Sequence, residues 1–256
     1  MNGGTGASGS LPDEPTTSSA LSGRVEEILQ RHGPSGEEPL LAAQAVRELA
    51  QAGATPVEAV VVVGDLRLSG FVLKEAVQPA LFARFIIGFT EAVRGLANAS
   101  GGWFDKFTGD GFIAFWIPST PDRPVVGRVS EFCQGVLPAA DALIGNLRRN
   151  SRNFPVGVGL SLGIDSGPCQ LVLVGDALTL VGSPIVGATR MVSCAKAHQA
   201  LANVYFGSAL EQERDRLHEV GIALERTVAR TKEYPEGQEA FSLSFSTPRT
   251  ERTDDS

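Results

Sequence analysis

The sequence predicts an α+β protein in which helices cover a sheet built partly of hairpins. Three observations predict it. Val57–Val63 is a valine-rich run without alternation, the pattern of a strand buried on both faces. Gly101–Trp116 places a short glycine-bearing connection, Thr108–Gly111, between two runs of apolar β-formers, a hairpin signal. Strand and helix patterns then intermix without the strict strand–helix alternation of a doubly wound parallel sheet.

Residues 1–23 are Gly, Ser, Thr and Pro with few large apolar groups, which predicts a disordered tail. Residues 24–54 carry helical spacing in two pieces split at Gly33–Gly36, with Leu41, Val46 and Leu49 on one face. The main domain is expected over 55–246, followed by a polar tail at 247–256. After Val57–Val63, a helix is expected to start near Pro79. Its apolar stripe is Phe82, Phe85, Ile86, Phe89, Val93 and Leu96. Val126–Arg149 is helical, with Pro138 expected to kink or divide it. Val156, Val158, Leu160, Leu162 and Ile164 alternate with Gly157, Gly159, Ser161 and Gly163, a strand with one bare face. That face admits a tightly packed helix, or a nucleotide or second subunit. Asp165–Pro168 reads as a turn, Cys169–Val174 and Leu178–Val181 as strands, and Ile185–His198 as a helix. Ala202–Phe206 reads as a strand, Ser208–Arg216 as a short helix, and Ile222–Val228 and Ala240–Phe245 as closing strands.

The totals exclude several classes. With 22 basic and 29 acidic residues the net charge is −7, against a nucleic-acid binder. The three cysteines, Cys133, Cys169 and Cys194, form no CxxC pair, so neither a disulfide framework nor a zinc site is expected. The start of the chain lacks a signal-peptide pattern, and no apolar run approaches the ~20 residues of a membrane span. No membrane partner and a cytoplasmic location are expected.

The chemistry sits at strand ends. Asp65 follows the first apolar run, and Asp110 lies in the connection of the hairpin. Each alone reads as a turn or cap aspartate. Together they suit paired divalent ions, a recurrent device for phosphoryl chemistry. Asp105 and Lys106 are further charges in the hairpin. Asp105 is read as a solvated turn residue.

Four segments resemble the class III nucleotidyl cyclase domain over roughly residues 55–246. They are VVVGDLRLSGF (61–71), WFDKFTGDGFIAFW (103–116), GLSLGIDSGPCQLVLVG (159–175) and LTLVGSPIVGATRMVS (178–193). The K-x-x-G-D hairpin and the spacing of Gly182 to Arg190 are the most specific. DLRLSG followed by FDKFTGDGFIAF looks most like the pyrimidine nucleotide cyclases of bacterial anti-phage (Pycsar) systems. The resemblance implies a ferredoxin-like fold with a mostly antiparallel central sheet flanked by helices. It also implies a homodimer with active sites at the subunit interface. Asp65, Asp110 and the carbonyl of Leu66 match ligands of two Mn²⁺ or Mg²⁺ ions. Arg190 matches the arginine that meets charge at the α-phosphate. Lys106 matches the base-contacting lysine, with Thr179 as its partner. The loop Arg67–Phe71, with Arg67, Ser69, Gly70 and Phe71, is expected to hold phosphate oxygens. Lys232 falls near a triphosphate-binding lysine, and a solvated surface lysine fits that position equally. The aspartates are expected from one subunit, and Thr179 and Arg190 from the other.

Two positions depart from the family pattern. Leu68 and Ser69 replace a Gly-Phe pair, and Val186 stands where an asparagine is usual. Lys106 donates only, while Thr179 donates or accepts, so the pair leaves adenine, uracil and cytosine open. The Pycsar-like segments favour a pyrimidine. Uracil, with two carbonyl acceptors, points to UTP, hence to cyclic UMP as a messenger for a downstream effector.

Overall fold

A computed structural model of the chain describes residues 55–75, 79–118, 124–151, 153–174 and 177–245. The expected tail 1–23, helical segment 24–54 and tail 247–256 lie outside the described residues. In chain order the elements are β1 (Thr55–Arg67), α1 (Ser69–Glu75), α2 (Pro79–Ala99), β2 (Trp103–Phe107), β3 (Gly111–Trp116) and α3 (Val125–Arg149). There follow β4 (Gly159–Val174), β5 (Ala177–Gly182), α4 (Ser183–Cys194), β6 (Ala200–Asn203), α5 (Val204–Gln212), α6 (Arg214–Glu219), β7 (Ile222–Ala229) and β8 (Gln238–Phe245).

Among the described residues the strands form one eight-stranded sheet in the order β2-β3-β1-β4-β6-β8-β7, with β5 paired to β4. Only the β4–β6 pairing is parallel among them. β1 lies near the centre and is buried on both faces, as its unbroken valine run predicts. Val60, Val62 and Leu66 point into the main core beneath α2 and α3. Ala59, Val61 and Val63 point into a smaller core beneath α4. The α2 stripe buries Phe85, Phe89 and Val93, and Phe85 stacks on Phe89 at 5.7 Å between centroids. Phe112 of β3 meets Phe89 and, edge-on, Phe132 of α3. Burying each such side chain contributes roughly 1.5–3 kcal/mol.

The hairpin forms where expected, with Gly109 at φ +104° in its connection and Thr108 N–H donating to the Gly111 carbonyl at 2.9 Å. Five local expectations change. Pro138 does not divide α3, which runs on through it. Val136, Leu137 and Ala140 are buried around it, and this packing outweighs one lost backbone bond. Asp165–Pro168 is no turn but the middle of the 16-residue β4. β1 offers partners along this whole stretch, from Val61 opposite Asp165 to Glu58 opposite Pro168, which overrides the turn-like composition. The strand begins at Gly159, so Val156 lies outside it at 97% exposure. Ala202–Phe206 is not all strand: β6 ends at Asn203, whose side chain accepts from the Val204 N–H and starts α5. The helix expected over Ser208–Arg216 is two helices, α5 and α6.

The bare face of β4 is filled by a helix. A Cβ on Gly163 would run into the Ala188 carbonyl oxygen and the Val192 amide nitrogen, both backbone atoms of α4.

Candidate active site

β1 and β3 bring the two expected metal aspartates together. Asp65 pairs with Gly111, the residue after Asp110, and the Leu66 N–H donates to the Asp110 carbonyl at 3.2 Å. The Leu66 side chain is anchored in the main core, which holds the backbone at this point. Burial pushes the Asp65 carboxyl above its usual range; Arg67 opposes this and the Asp110 charge adds to it. The Arg67 guanidinium lies 3.4 Å from Asp65 and also donates to the Val192 carbonyl of α4. The Ser69 hydroxyl donates to the Asp110 carboxylate. Leu68 adopts a left-handed conformation at φ 63°, and the Phe71 and Val72 N–H groups donate back to its carbonyl. The Leu–Ser replacement thus gives a tight entry to α1 that points Ser69 at an aspartate. Gly70 and Phe71 lie in the first turn of α1, with Phe71 exposed.

A second cluster joins β2 to β5. Lys106 Nζ donates to Thr179 Oγ1 at 3.3 Å. Across the ladders Lys106 is level with Ile113, Val63 and Gly163, whereas Thr179 is level with Val172. Nine residues of straight strand from Gly163 to Val172 would span roughly 30 Å. Contact therefore requires the β4–β5 hairpin to curl back over the sheet face that α4 covers. Leu171 and Leu180 seal this curl by joining Trp103 and Phe115 in the smaller core.

Asp105, expected to be solvated, is instead buried in this cluster. It is the extra residue at a β-bulge between Phe104 and Lys106. Its side chain is 2% exposed, accepts from Thr179 Oγ1 at 2.9 Å and lies 3.5 Å from Lys106 Nζ. Burial raises its pKa, and the bonds from Thr179 and Lys106 partly offset this. The signal was present in the sequence: two adjacent charges between aromatics break the period of two, as a bulge does.

Arg190 lies elsewhere, on α4. Its guanidinium sits 5.6 Å over the Tyr234 ring and 3.7 Å from Glu233, and its buried Nε has no hydrogen-bond partner. It opens onto a groove of about 970 Å³ that Asp165, Val186, Asn203, Tyr205 and Tyr234 also line. Asp65, Asp110, Lys106 and Thr179 do not line this groove. Lys232 is exposed in the β7–β8 connection, next to Glu233. Asp165 is buried there, accepting from Asn203 Nδ2 at 3.0 Å and the Ser166 N–H at 2.8 Å, and burial raises its pKa.

No protein-family model and no curated protein matches the sequence. Solved structures do resemble it. The adenylyl cyclase CyaB from P. aeruginosa superimposes with a TM-score of 0.62 at 18% identity, covering 76% of this chain and 97% of that one. The guanylyl cyclase Cya2 gives 0.59 at 16%, covering 77% and 98%. The guanylate cyclase domain of RhGC from Catenaria anguillulae, in complex with GTP, gives 0.59 at 14%, covering 76% and 100%. The fold is that of the class III nucleotidyl cyclase catalytic domain.

In this cyclase fold the aspartate pair suits divalent ions. Its donors are carboxylate oxygens, the hard ligands that Mg²⁺ and Mn²⁺ take, and Asp65 carries the unfavourable charge of Asp110 beside it. Among the described residues no group of three or more His, Cys, Asp or Glu converges to hold a metal alone. Two carboxylates completed by substrate phosphate and water are the usual arrangement for Mg²⁺ at nucleotide sites. Among the described residues no helix is long and apolar enough to cross a membrane.

Proposed function

We propose that this protein is a cytoplasmic, homodimeric uridylate cyclase that converts UTP to 3′,5′-cyclic UMP and pyrophosphate. The product would serve as a second messenger for a downstream effector in anti-phage defence. One observation carries the cyclase reading: β1–β3 pairing sets Asp65 beside Asp110 on a sheet with the nucleotidyl cyclase fold, while neither aspartate lines the groove onto which Arg190 opens. A site shared between two copies accounts for this, with Asp65, Asp110 and the Leu66 carbonyl from one subunit and Lys106, Thr179 and Arg190 from the other.

In the reaction the ribose 3′-oxygen attacks the α-phosphorus, the bond from that phosphorus to the bridging oxygen breaks, and pyrophosphate leaves. The 3′-hydroxyl proton passes to solvent. Two Mn²⁺ or Mg²⁺ ions held by Asp65, Asp110 and Leu66 would supply positive charge for deprotonation and for the triphosphate. Arg190 places a planar, permanently charged guanidinium where charge develops at the α-phosphate. Its pair with Glu233 is long, at 3.7 Å without a hydrogen bond, and its Glu233 partner is exposed, so it contributes about 1 kcal/mol or less and phosphate competes readily for it. Arg67, Ser69, Gly70 and Phe71 line the approach to the phosphates beside the aspartates, and Lys232 extends toward the triphosphate. Lys106 donates to a base carbonyl, and uracil offers two.

Purified protein incubated with each of the four triphosphates and Mn²⁺ is expected to form cyclic UMP as its dominant product. Dominant cyclic CMP or cyclic AMP would replace the base assignment with a cytidylate or adenylate cyclase. Asp65→Ala and Arg190→Ala should each be inactive alone and regain part of the activity when mixed. No recovery under subunit exchange would count against the shared site. Val186, in place of the usual asparagine, favours a second reading as a silent nucleotide-binding module. That reading stands if wild type and Asp110→Ala are equally inactive with every triphosphate.

A further inference from the structure

Asp105 has no part in the reaction just described, yet its carboxylate is almost wholly buried, and burying a charge is costly unless it holds something in place. What it holds can be read by counting protons. A threonine hydroxyl has one proton and two lone pairs. The Thr179 proton points to Asp105 Oδ2 at 2.9 Å, and Lys106 Nζ donates to one lone pair at 3.3 Å. One lone pair remains. Toward anything else Thr179 can then only accept, and Lys106 can only donate. Thr179 lies at the floor of the cluster with 7% exposure, and the Lys106 side chain at its rim with 51%.

We infer that Asp105 is a positioning residue for base recognition: by accepting the Thr179 hydroxyl's hydrogen bond it makes the Lys106–Thr179 pair present one donor and one acceptor. The inference rests on the cyclase reading for placing this pair against the base. The base selected carries an acceptor beside a donor on its ring edge. The natural bases all meet this, uracil with O4 and N3–H, guanine with O6 and N1–H, cytosine with N3 and its 4-amino group, and adenine with N1 and its 6-amino group, so the pair selects against analogues that lack the donor. A base with an acceptor and no neighbouring donor leaves the Thr179 lone pair unpaired. Without the carboxylate the hydroxyl is free to rotate, and the pair can present two donors instead.

The test compares the preferred natural triphosphate with an analogue that lacks the neighbouring donor. For CTP this is the triphosphate of the pyrimidin-2-one riboside and for ATP that of purine riboside; for UTP the pyrimidin-2-one riboside triphosphate loses O4 together with the N3–H, so there the result is read from how the ratio changes between wild type and the variants, all of which lose the Lys106 contact alike. Both kcat/KM and equilibrium binding are measured. Wild type should favour the natural nucleotide by on the order of tenfold or more, the effect of one unsatisfied hydrogen bond. Asp105→Leu removes the acceptor and should shrink that ratio about tenfold, chiefly through KM. Asp105→Asn, whose amide oxygen can still accept from the hydroxyl, should shrink it less. Thr179→Val should shrink it as Asp105→Leu does, and Thr179→Ser should preserve it. In the Thr179→Val background, Asp105→Leu should change the ratio no further, because the carboxylate acts through the hydroxyl. If Asp105→Leu does not fold, the contrast of Thr179→Val with Thr179→Ser decides. Equal loss on both nucleotides, or a ratio change that persists without the Thr179 hydroxyl, overturns the inference. A wild type that shows this pattern in binding but makes no cyclic product overturns the cyclase reading and supports the inference. One that binds neither nucleotide overturns both.

Discussion

The two faces of the central sheet are built for different tasks. Toward α2 and α3, Val60, Val62, Phe112, Leu160, Leu162 and Ile164 meet apolar side chains in a continuous core. Toward α4 the apolar cluster is smaller, and polar groups interrupt it: Ser161, Asp165 and Thr179 are all buried there or at its edge. Ser161 spends its hydroxyl on the Asp65 carbonyl at 3.1 Å. The residues proposed to bind metal, base and phosphate collect on or around this second face. One face supplies stability and the other spends part of it to hold polar groups in fixed directions, a division in which neighbouring residues on one strand answer to different demands.

Neighbouring positions on the hairpin give the largest expected contrast. Asp110→Ala should reduce cyclic nucleotide formation to background while leaving the denaturant midpoint nearly unchanged. Phe112→Ala should cost about 3–5 kcal/mol in urea unfolding, because a fully buried ring between Phe89 and Phe132 leaves a cavity. Comparable stability losses in both variants would abolish the division between faces.

Gly163→Ala should have an intermediate effect. The added methyl meets α4 backbone, so the helix must shift, at a cost of about 1–3 kcal/mol. Because α4 carries Arg190, turnover should fall further than stability alone explains, measured at a temperature where the variant is fully folded. A variant that is less stable but fully active would show that the position of α4 does not matter to the site.

The smallest expected effect is a pH dependence. Burial holds the Asp165 carboxyl above its usual value of 3.8, with Asn203 and the Ser166 N–H partly offsetting this. The folded chain therefore binds this proton more tightly than the unfolded chain does. Ionisation costs folding stability at neutral pH, and that cost fades as pH falls through the raised pKa and is gone below 3.8. Measured against Asp165→Asn by urea unfolding, the wild type should gain relative stability as pH falls from 7 toward about 4. A flat difference would mean that this carboxylate is effectively solvated.

The elements were legible where local pattern and burial agree. The valines of β1, the stripe of α2 and the Thr108–Gly111 connection each express a period or turn chemistry within a few residues. Asp65 and Asp110 could be named because each adjoins an apolar strand, and β1–β3 pairing then placed them together. Asp165–Pro168 failed for the opposite reason. Its Asp-Ser-Gly-Pro composition is turn-like, but the long β1 partner outweighed it. Asp105 failed because hairpin charges are usually solvated, and only the return of β5 from 74 residues away buries it.

By itself, then, the sequence determined the α+β class and most of the helices and strands that build it, and it offered the residues proposed here for nucleotide cyclisation. The elements follow from periodicity and turn chemistry, which act over short stretches of chain, and the proposed residues from short segments that resemble a known family. The tertiary structure alone decided that β4 is one continuous strand, that α4 fills its bare face, and that the β4–β5 hairpin curls back to Lys106. It also decided which way the Thr179 proton points. Those outcomes depend on partners far away in sequence, whose ladder bonds and buried area outweigh local preference.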